Sequence, residues 1–189
     1  MFSSCDHAKD ARAHDYNYME VNGGQYATSG RKRHNLLKRL WWCCIICDRT
    51  VSLTCRQSIM VTNSFFDFDD KSKLLCSADL VDEVDASRVF EPMTKILVAG
   101  ILENLVELCV LATDVLLMSS LVYNNSSSFF GHSSMRKISQ CKIRLQQWYL
   151  TRLKQTLEAA TSICAQDSTL SRPKKSVALF ASTVEMYYQ

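Results

Sequence analysis

Apolar residues at helical spacing divide the chain into long segments. Between residues 35 and 55 they recur every three or four positions, which predicts an amphipathic helix capped by Asn35. Residues 91–118 are apolar on most sides and predict a long buried helix, opened by Pro92 in its first turn. These two segments are the main elements that the pattern predicts.

The rest of the chain adds shorter helices and polar connections. Residues 135–160 repeat the helical pattern with a small shift of phase after Trp148, residues 177–188 are a last apolar segment, and a short helix is predicted near 77–85. Polar, aromatic-acidic or serine-rich stretches predict loops at 60–73, 124–134 and 166–175. No internal repeat is visible.

The first 34 residues are polar and lack a sustained period, so we expect a disordered or loosely attached leader, followed by one domain at 35–189. Five glycines and two prolines in 189 residues are too few for a turn-rich β sandwich or barrel. The fold class predicted is therefore all-α, an irregular multi-helix bundle.

Charge and cysteine content bear on the class of partner and on the compartment of the protein. A net charge of +3 does not by itself predict a nucleic-acid partner, and RKRH at 31–34 is only a weak nuclear-import pattern. The N-terminus lacks the apolar core of a signal peptide. Most of the nine cysteines lie among apolar residues, which indicates buried thiols in a reducing compartment.

The pair Cys44 and Cys47, with Cys55 further on, is the first arrangement that suggests metal or thiol chemistry. A structural zinc site needs four converging ligands, and no second C-x-x-C pair follows. The pair also lies within an apolar helix, where a thiolate is costly. We therefore expect these cysteines to pack in the core and the chain to hold no cofactor.

The sequence offers no clear set of catalytic residues either. His7, His14, His34 and His132 lack paired-ligand spacing, and no nucleophile elbow or phosphate-binding glycine loop is present. The acidic run Asp67, Asp69 and Asp70 lacks the glycine and distal glutamate of a calcium loop. The sequence predicts that the protein is not an enzyme.

A membrane-associated helical protein is the alternative, because residues 96–123 are long enough to span a bilayer. Glu103, Glu107 and Asp114 lie inside that stretch, and each acid near the bilayer centre costs about 2.5–3.5 kcal/mol. Their spacing puts all three on one side of a helix. This pattern favours a buried helix with a narrow polar stripe, and no membrane partner is expected.

The run KRLWWCCIICDRTVSLTCRQSIMV, residues 38–61, resembles the signature helix of the fungal-specific transcription factor domain. That domain is the regulatory middle region of zinc-binuclear-cluster transcription factors, including cutinase and xylanolytic activators. The residues at the positions of the family motif are Lys38, Arg39, Trp41, Trp42, Asp48, Arg49 and Arg56. Ser58 stands where the family usually has proline. Residues 90–116, 141–149 and 174–189 resemble later helices of the family.

This resemblance implies a regulatory or interaction domain of a nuclear transcription factor. The implied partners are proteins of the transcription machinery or a second copy of the chain. DNA would be bound, and zinc held, only by a six-cysteine domain that this sequence lacks. Relative to the family, the bundle looks truncated at both ends, so we expect a fragment.

Asp48 carries the sharpest structural expectation. It lies on the apolar stripe of the first long helix with Cys44 and Val51, so we expect it to be buried and paired. Arg49 points about 100° away on a helix. The partner is therefore expected from another element or from beyond the helix end, with Arg56 the nearest candidate.

Overall fold

The computed structural model describes residues 4–10, 12–19, 27–84, 86, 90–124, 132–165 and 172–188. These residues form helices and connecting turns, and none of them lies in a β-strand. The predicted all-α class is confirmed. The chain divides into two compact units, residues 1–75 and 76–189.

The first unit is built on one long helix. Helices α1 (Ser4–Asp10) and α2 (Ala27–Cys55) pack together, and a 3₁₀ segment (Ala13–Met19) lies against α2. Helix α2 begins eight residues before the predicted start at Asn35, which is itself a buried position within the helix. No apolar residue lies between Ala27 and Asn35, so the sequence there has no hydrophobic period to reveal a helix.

Residues from the predicted leader contribute to this core. Ala8, Ala13 and Tyr16 are buried, although residues around them are polar. Because these three residues are small or amphipathic and lie in two short elements, the sequence shows no sustained hydrophobic period there. The predicted boundary at residue 34 therefore does not coincide with the end of an element, while residues 20–26 of the leader lie outside the described part.

The predicted loop at 60–73 is largely irregular and folds back along α2. It contains one 3₁₀ turn, Lys71–Lys73, where the Asp70 side chain accepts a hydrogen bond from the Ser72 amide. Phe66, Phe68 and Leu75 are buried, so the loop and the residues after it supply apolar side chains to the core of this unit.

The second unit is arranged around its longest helix. The predicted short helix corresponds to a 3₁₀ turn, Ser77–Leu80, followed by α3 (Val81–Val84). Helix α4 (Pro92–Asn124) starts at Pro92 as expected and runs six residues past the predicted end. The predicted loop at 124–134 is mostly outside the described residues.

The single helix predicted over 135–160 is interrupted by a π-helical turn. Helix α5 (His132–Trp148) leads into the turn Tyr149–Leu153, and α6 (Lys154–Ala165) follows. The turn coincides with the phase shift seen in the sequence. A π turn adds a residue to the helical repeat, and here Trp148 and Leu153, five residues apart, are both buried.

Helix α7 (Arg172–Tyr188) completes this unit by packing on α4 and α6. Val177, Ala181 and Val184 are spaced by four and three residues and form its buried face. The predicted apolar segment is therefore one side of a helix that starts five residues earlier. Residues 166–171, in the predicted loop before it, lie outside the described part.

The end of α2 gives a first prediction. Arg56, the residue after the helix, has a φ of 53°, a left-handed conformation that is costly for a side chain with a Cβ. Arg56→Gly should therefore stabilise the protein by about 0.5–1 kcal/mol, measured as a higher urea midpoint by tryptophan fluorescence. Arg33→Gly, on an exposed site inside α2, should destabilise it by about 1 kcal/mol. Equal shifts in the same direction would contradict this account of the helix end.

Candidate functional site

Trp42 joins α2 to the returning loop. It is completely buried and meets Phe66 and Phe68 edge-on, with ring centroids 5.9 and 6.3 Å away. Its Nε1 donates a 2.8 Å hydrogen bond to the carbonyl of Lys73. The same carbonyl accepts a 2.7 Å bond from the Tyr16 hydroxyl. One backbone oxygen thus ties the N-terminal segment, α2 and the loop together.

Trp41 faces different neighbours. Its ring is also completely buried, 5.7 Å from the ring of His14 and 6.0 Å from that of Phe65. Adjacent helical residues point about 100° apart, so the two tryptophans have mostly separate neighbours and share only Phe66, whose ring centroid lies 6.2 Å from that of Trp41. The pair therefore requires packing partners on two sides of α2, as residues 13–19 and the loop provide.

Asp48 is buried, as expected, with a side chain only 6% exposed. Its Oδ1 accepts from the amide of Met60 at 3.0 Å, and its Oδ2 accepts from the amide of Val61 at 3.2 Å. Arg49, whose side chain is 1% exposed, donates through one terminal nitrogen to Oδ2 of Asp48 at 2.5 Å. Its other terminal nitrogen donates to the Val61 carbonyl at 2.6 Å.

The identity of the partner differs from the expectation. Arg56 is exposed and has no role in this contact, whereas the adjacent Arg49 pairs with Asp48. The Cα–Cβ bonds of adjacent helical residues diverge by about 100°. A long arginine can curve back towards its neighbour, and here its guanidinium also lies 5.3 Å from the centre of the Phe68 ring. Backbone amides beyond the helix end supply the remaining donors.

The two basic residues that begin the motif behave differently from each other. Lys38 is buried, and its ammonium group donates to the carbonyl of Ser72 at 3.1 Å. Arg39 is half-buried and donates to the carbonyl of Asn35, one turn earlier in α2. The motif position at Lys38 therefore contacts the returning loop, as Trp42, Asp48 and Arg49 do.

Cys44 and Cys47 do not share an environment. Cys44 is buried as expected, but Cys47 and Cys55 are exposed, so the prediction that these cysteines pack in the core is wrong for two of the three. Cys43 is exposed as well. Within the described ranges, no three histidine, cysteine or acidic side chains come together in a way that would hold a metal ion. The absence of zinc from this chain stays a prediction.

In the second unit, Glu107 on α4 lies against the π turn. Its carboxylate accepts from Nε1 of Trp148 at 3.0 Å and from Arg152 at 2.7 Å. The hydrogen bond to Glu107, and then the charge of Glu107, raise the pKa of Arg152. These contacts fix the two residues on either side of the point where the helical phase changes.

The other two acids of α4 also have partners. Asp114 pairs with Arg144 of α5 at 3.0 Å, and Glu103 accepts from the amide of Ser77 at 3.2 Å. The polar stripe expected from the sequence is therefore used within this unit. By length and composition alone, α4 still passes as a membrane span, since a window within residues 92–120 has a mean hydropathy of 2.0.

An apolar cavity of about 270 Å³ lies beside α3 and α4. Leu80, Phe90 and Val98 are among its walls. The ammonium of Lys95 donates to the carbonyls of Glu83 and Val84. Specific ligand sites usually combine apolar walls with a few polar groups that fix the orientation of the ligand. Because the Lys95 ammonium already bonds to backbone carbonyls at the end of α3, it is not a polar group of this kind.

Comparison with known proteins identifies the family. A model of the fungal-specific transcription factor domain matches residues 14–183. The chain belongs to this family. No curated protein and no solved structure matches it. The family match starts at His14, within the predicted leader, and includes the 3₁₀ segment that packs on α2.

Several residues that contact the motif could not be identified from the sequence. Tyr16 and Lys73 lie far from the tryptophans in sequence, and their contribution is a hydroxyl and a backbone carbonyl. Phe66 and Phe68 did carry a signal, because they alternate with acids in FFDFDD. Alternating aromatic residues in a loop indicate side chains that all need burial on the same side.

The buried pair gives the second prediction. Asp48→Ala leaves the guanidinium of Arg49 without its anion and two amides without their acceptor, so it should destabilise the protein by about 3–5 kcal/mol. Asp10→Ala, on an exposed site of α1, should change the stability by less than about 0.5 kcal/mol. Urea denaturation followed by tryptophan fluorescence measures both, and similar midpoints for the two variants would contradict the burial of Asp48.

Proposed function

We propose that this chain is a regulatory and interaction domain of a fungal nuclear transcription factor. The family match carries the proposal, since a fungal-specific transcription factor domain implies a role in the regulation of transcription. In this proposal DNA is read by a zinc-cluster domain that the sequence does not contain. The chain itself binds protein partners of the transcription machinery or a second copy, and in this proposal no cofactor takes part in that binding.

The use of buried polar groups supports a non-enzymatic role. Lys38, Asp48 and Arg49 are the strongly buried charged side chains near the family motif, and each bonds to the backbone of the returning loop. Groups held in this way stabilise the fold and are not available to a substrate. An architectural motif is consistent with a domain that presents surfaces instead of a catalytic pocket.

Helix α7 offers one surface for a protein partner. Its buried face packs on α4 and α6, whereas Leu179 and Met186 are 71% and 62% exposed. Seven residues separate them, so both lie on the same outward side of the helix. Phe180, 40% exposed, lies next to Leu179. Exposed apolar groups aligned on a helix are suited to a protein partner.

Tethering the chain to a reporter gene tests the regulatory role. Fused to an unrelated DNA-binding domain in a fungal host, the chain should change reporter expression relative to that domain alone. The double variant Leu179→Asp, Met186→Asp should lose much of this effect, because charges prevent burial against a partner.

The double variant Gln140→Asp, Gln147→Asp, on exposed sites seven residues apart on α5, is the matched control and should keep the effect. Protein levels and far-UV circular dichroism should be equal among the variants. A wild-type fusion without any effect on the reporter would contradict the regulatory role. A wild-type effect that the double variant retains would contradict only the role of α7.

A membrane-associated protein is the second candidate, supported by the length and apolar character of α4. The two functions predict different locations. We propose the nucleus, supported by the family and by the exposed basic residues Arg31, Lys32 and Arg33 at the start of α2. In the nuclear proposal α4 is a packed helix, and its Glu107 and Asp114 form ion pairs with neighbouring helical segments.

A fluorescent fusion of the chain in a fungal host distinguishes the two locations. The signal should be nuclear, and the protein should remain in the soluble fraction without detergent. Replacing Arg31, Lys32 and Arg33 with alanine should reduce the nuclear signal, because the import patch loses its charge. Recovery of the protein only in detergent extracts of membranes would favour the second candidate and contradict the nuclear location.

A further inference from the structure

Cys43 and Cys47 form a pair of thiols on the outer side of α2. Both are exposed, and a spacing of four residues places them one above the other on the helix. Partial burial, and then the neighbouring thiol of Cys47, raise the pKa of Cys43. Their spacing on an intact helix makes the two side chains neighbours. This pair differs from Cys44 and Cys47, which do not share an environment.

The helix spacing disfavours a disulfide between these thiols. Side chains four residues apart have Cβ atoms about 5–6 Å apart, whereas a disulfide needs a Cβ separation of about 3.5–4.5 Å. A metal–thiolate bond of roughly 2.3 Å places two sulfurs roughly 4.6 Å apart across a linear site. An intact α2 therefore suits an ion bridging Cys43 and Cys47 better than a direct bond between them.

The number of ligands restricts which ion fits. Among the described residues, no third cysteine, histidine or acid completes a metal-holding group with this pair. Zinc takes four ligands in structural sites. Soft thiolates favour monovalent copper, for which two sulfurs in a linear arrangement are sufficient. We propose that Cys43 and Cys47 together bind one monovalent copper ion.

Binding involves proton release and no change of oxidation state. Two copper–sulfur bonds form, the two S–H bonds break, and two protons leave to solvent, which gives an anionic bis-thiolate complex.

The apolar surroundings favour a soft ion. Leu40 and Val51 lie on the same side of α2, 42% and 47% exposed, on either side of the pair along the helix. Such side chains reduce the water around the sulfurs and offer no oxygen ligands to harder ions. The buried face of α2 holds Trp41, Trp42 and Arg49, so the helix that carries the two thiols is fixed in position.

Copper titration of the reduced full chain tests the site. A chromogenic chelator specific for monovalent copper competes with the protein under anaerobic conditions, and its absorbance reports the copper that remains unbound. The wild type should remove one equivalent from the chelator. Cys43→Ser and Cys47→Ser should each weaken that first equivalent by at least about tenfold, since even supporting partners of metal ligands contribute about 10–100-fold.

Cys55→Ser, an exposed cysteine at the end of the same helix, is the matched control and should keep the wild-type affinity. X-ray absorption of the one-copper complex should show two sulfur ligands. The site is refuted if the double variant Cys43→Ser, Cys47→Ser binds its first copper as tightly as the wild type, which would indicate adventitious thiols only. Three or four sulfurs around the copper would also overturn the proposal.

Discussion

Two consecutive side chains near the C-terminal end of α2, Asp48 and Arg49, bind the chain at residues 60–61 through both amide and carbonyl groups. The desolvation of a buried ion pair is expensive, and its attraction offsets the cost only when the remaining hydrogen bonds are made. Backbone groups make them here. This arrangement determines where the chain must turn after α2, and the loop then brings Phe66 and Phe68 to Trp42.

The second unit uses a carboxylate for a similar purpose. Glu107 projects from the apolar helix α4 and accepts from Trp148, just before the π turn, and from Arg152, within it. A π turn is less favourable than a regular turn and persists where contacts require it. Glu107 on α4 thus contacts the neighbouring helical segment at the turn where its phase changes.

The sequence predicted those features that leave a periodic trace. The long helices, the burial of Asp48 and the phase change after Trp148 all follow from the spacing of apolar side chains, whereas α1 and the 3₁₀ segment after it do not. The start of α2 at Ala27 left no such trace, because its first turns carry polar and basic residues. The predicted partner of Asp48, Arg56, was wrong for another reason. Spacing gives the direction of a side chain at its base, and not the path of a long arginine.

The spacing of residues also could not identify the backbone groups that bond to the motif side chains. The Lys73 carbonyl accepts bonds from Trp42 and Tyr16, and the Ser72 carbonyl accepts one from Lys38. Every residue has a carbonyl, so its use depends on the path of the loop and leaves no mark on residue type. For this reason the motif residues could be found from the sequence, whereas the groups that they bind could not.

The two sides of α2 therefore have different physical roles. Its inner side, with Trp41, Trp42 and Arg49, is held by contacts from residues 13–19 and from the returning loop. Its outer side carries Cys43 and Cys47 on a backbone that those contacts keep helical. Rigid elements hold ligands at defined separations better than loops do. The buried family motif thus has a consequence for the exposed surface, because it keeps the two thiols one helical turn apart.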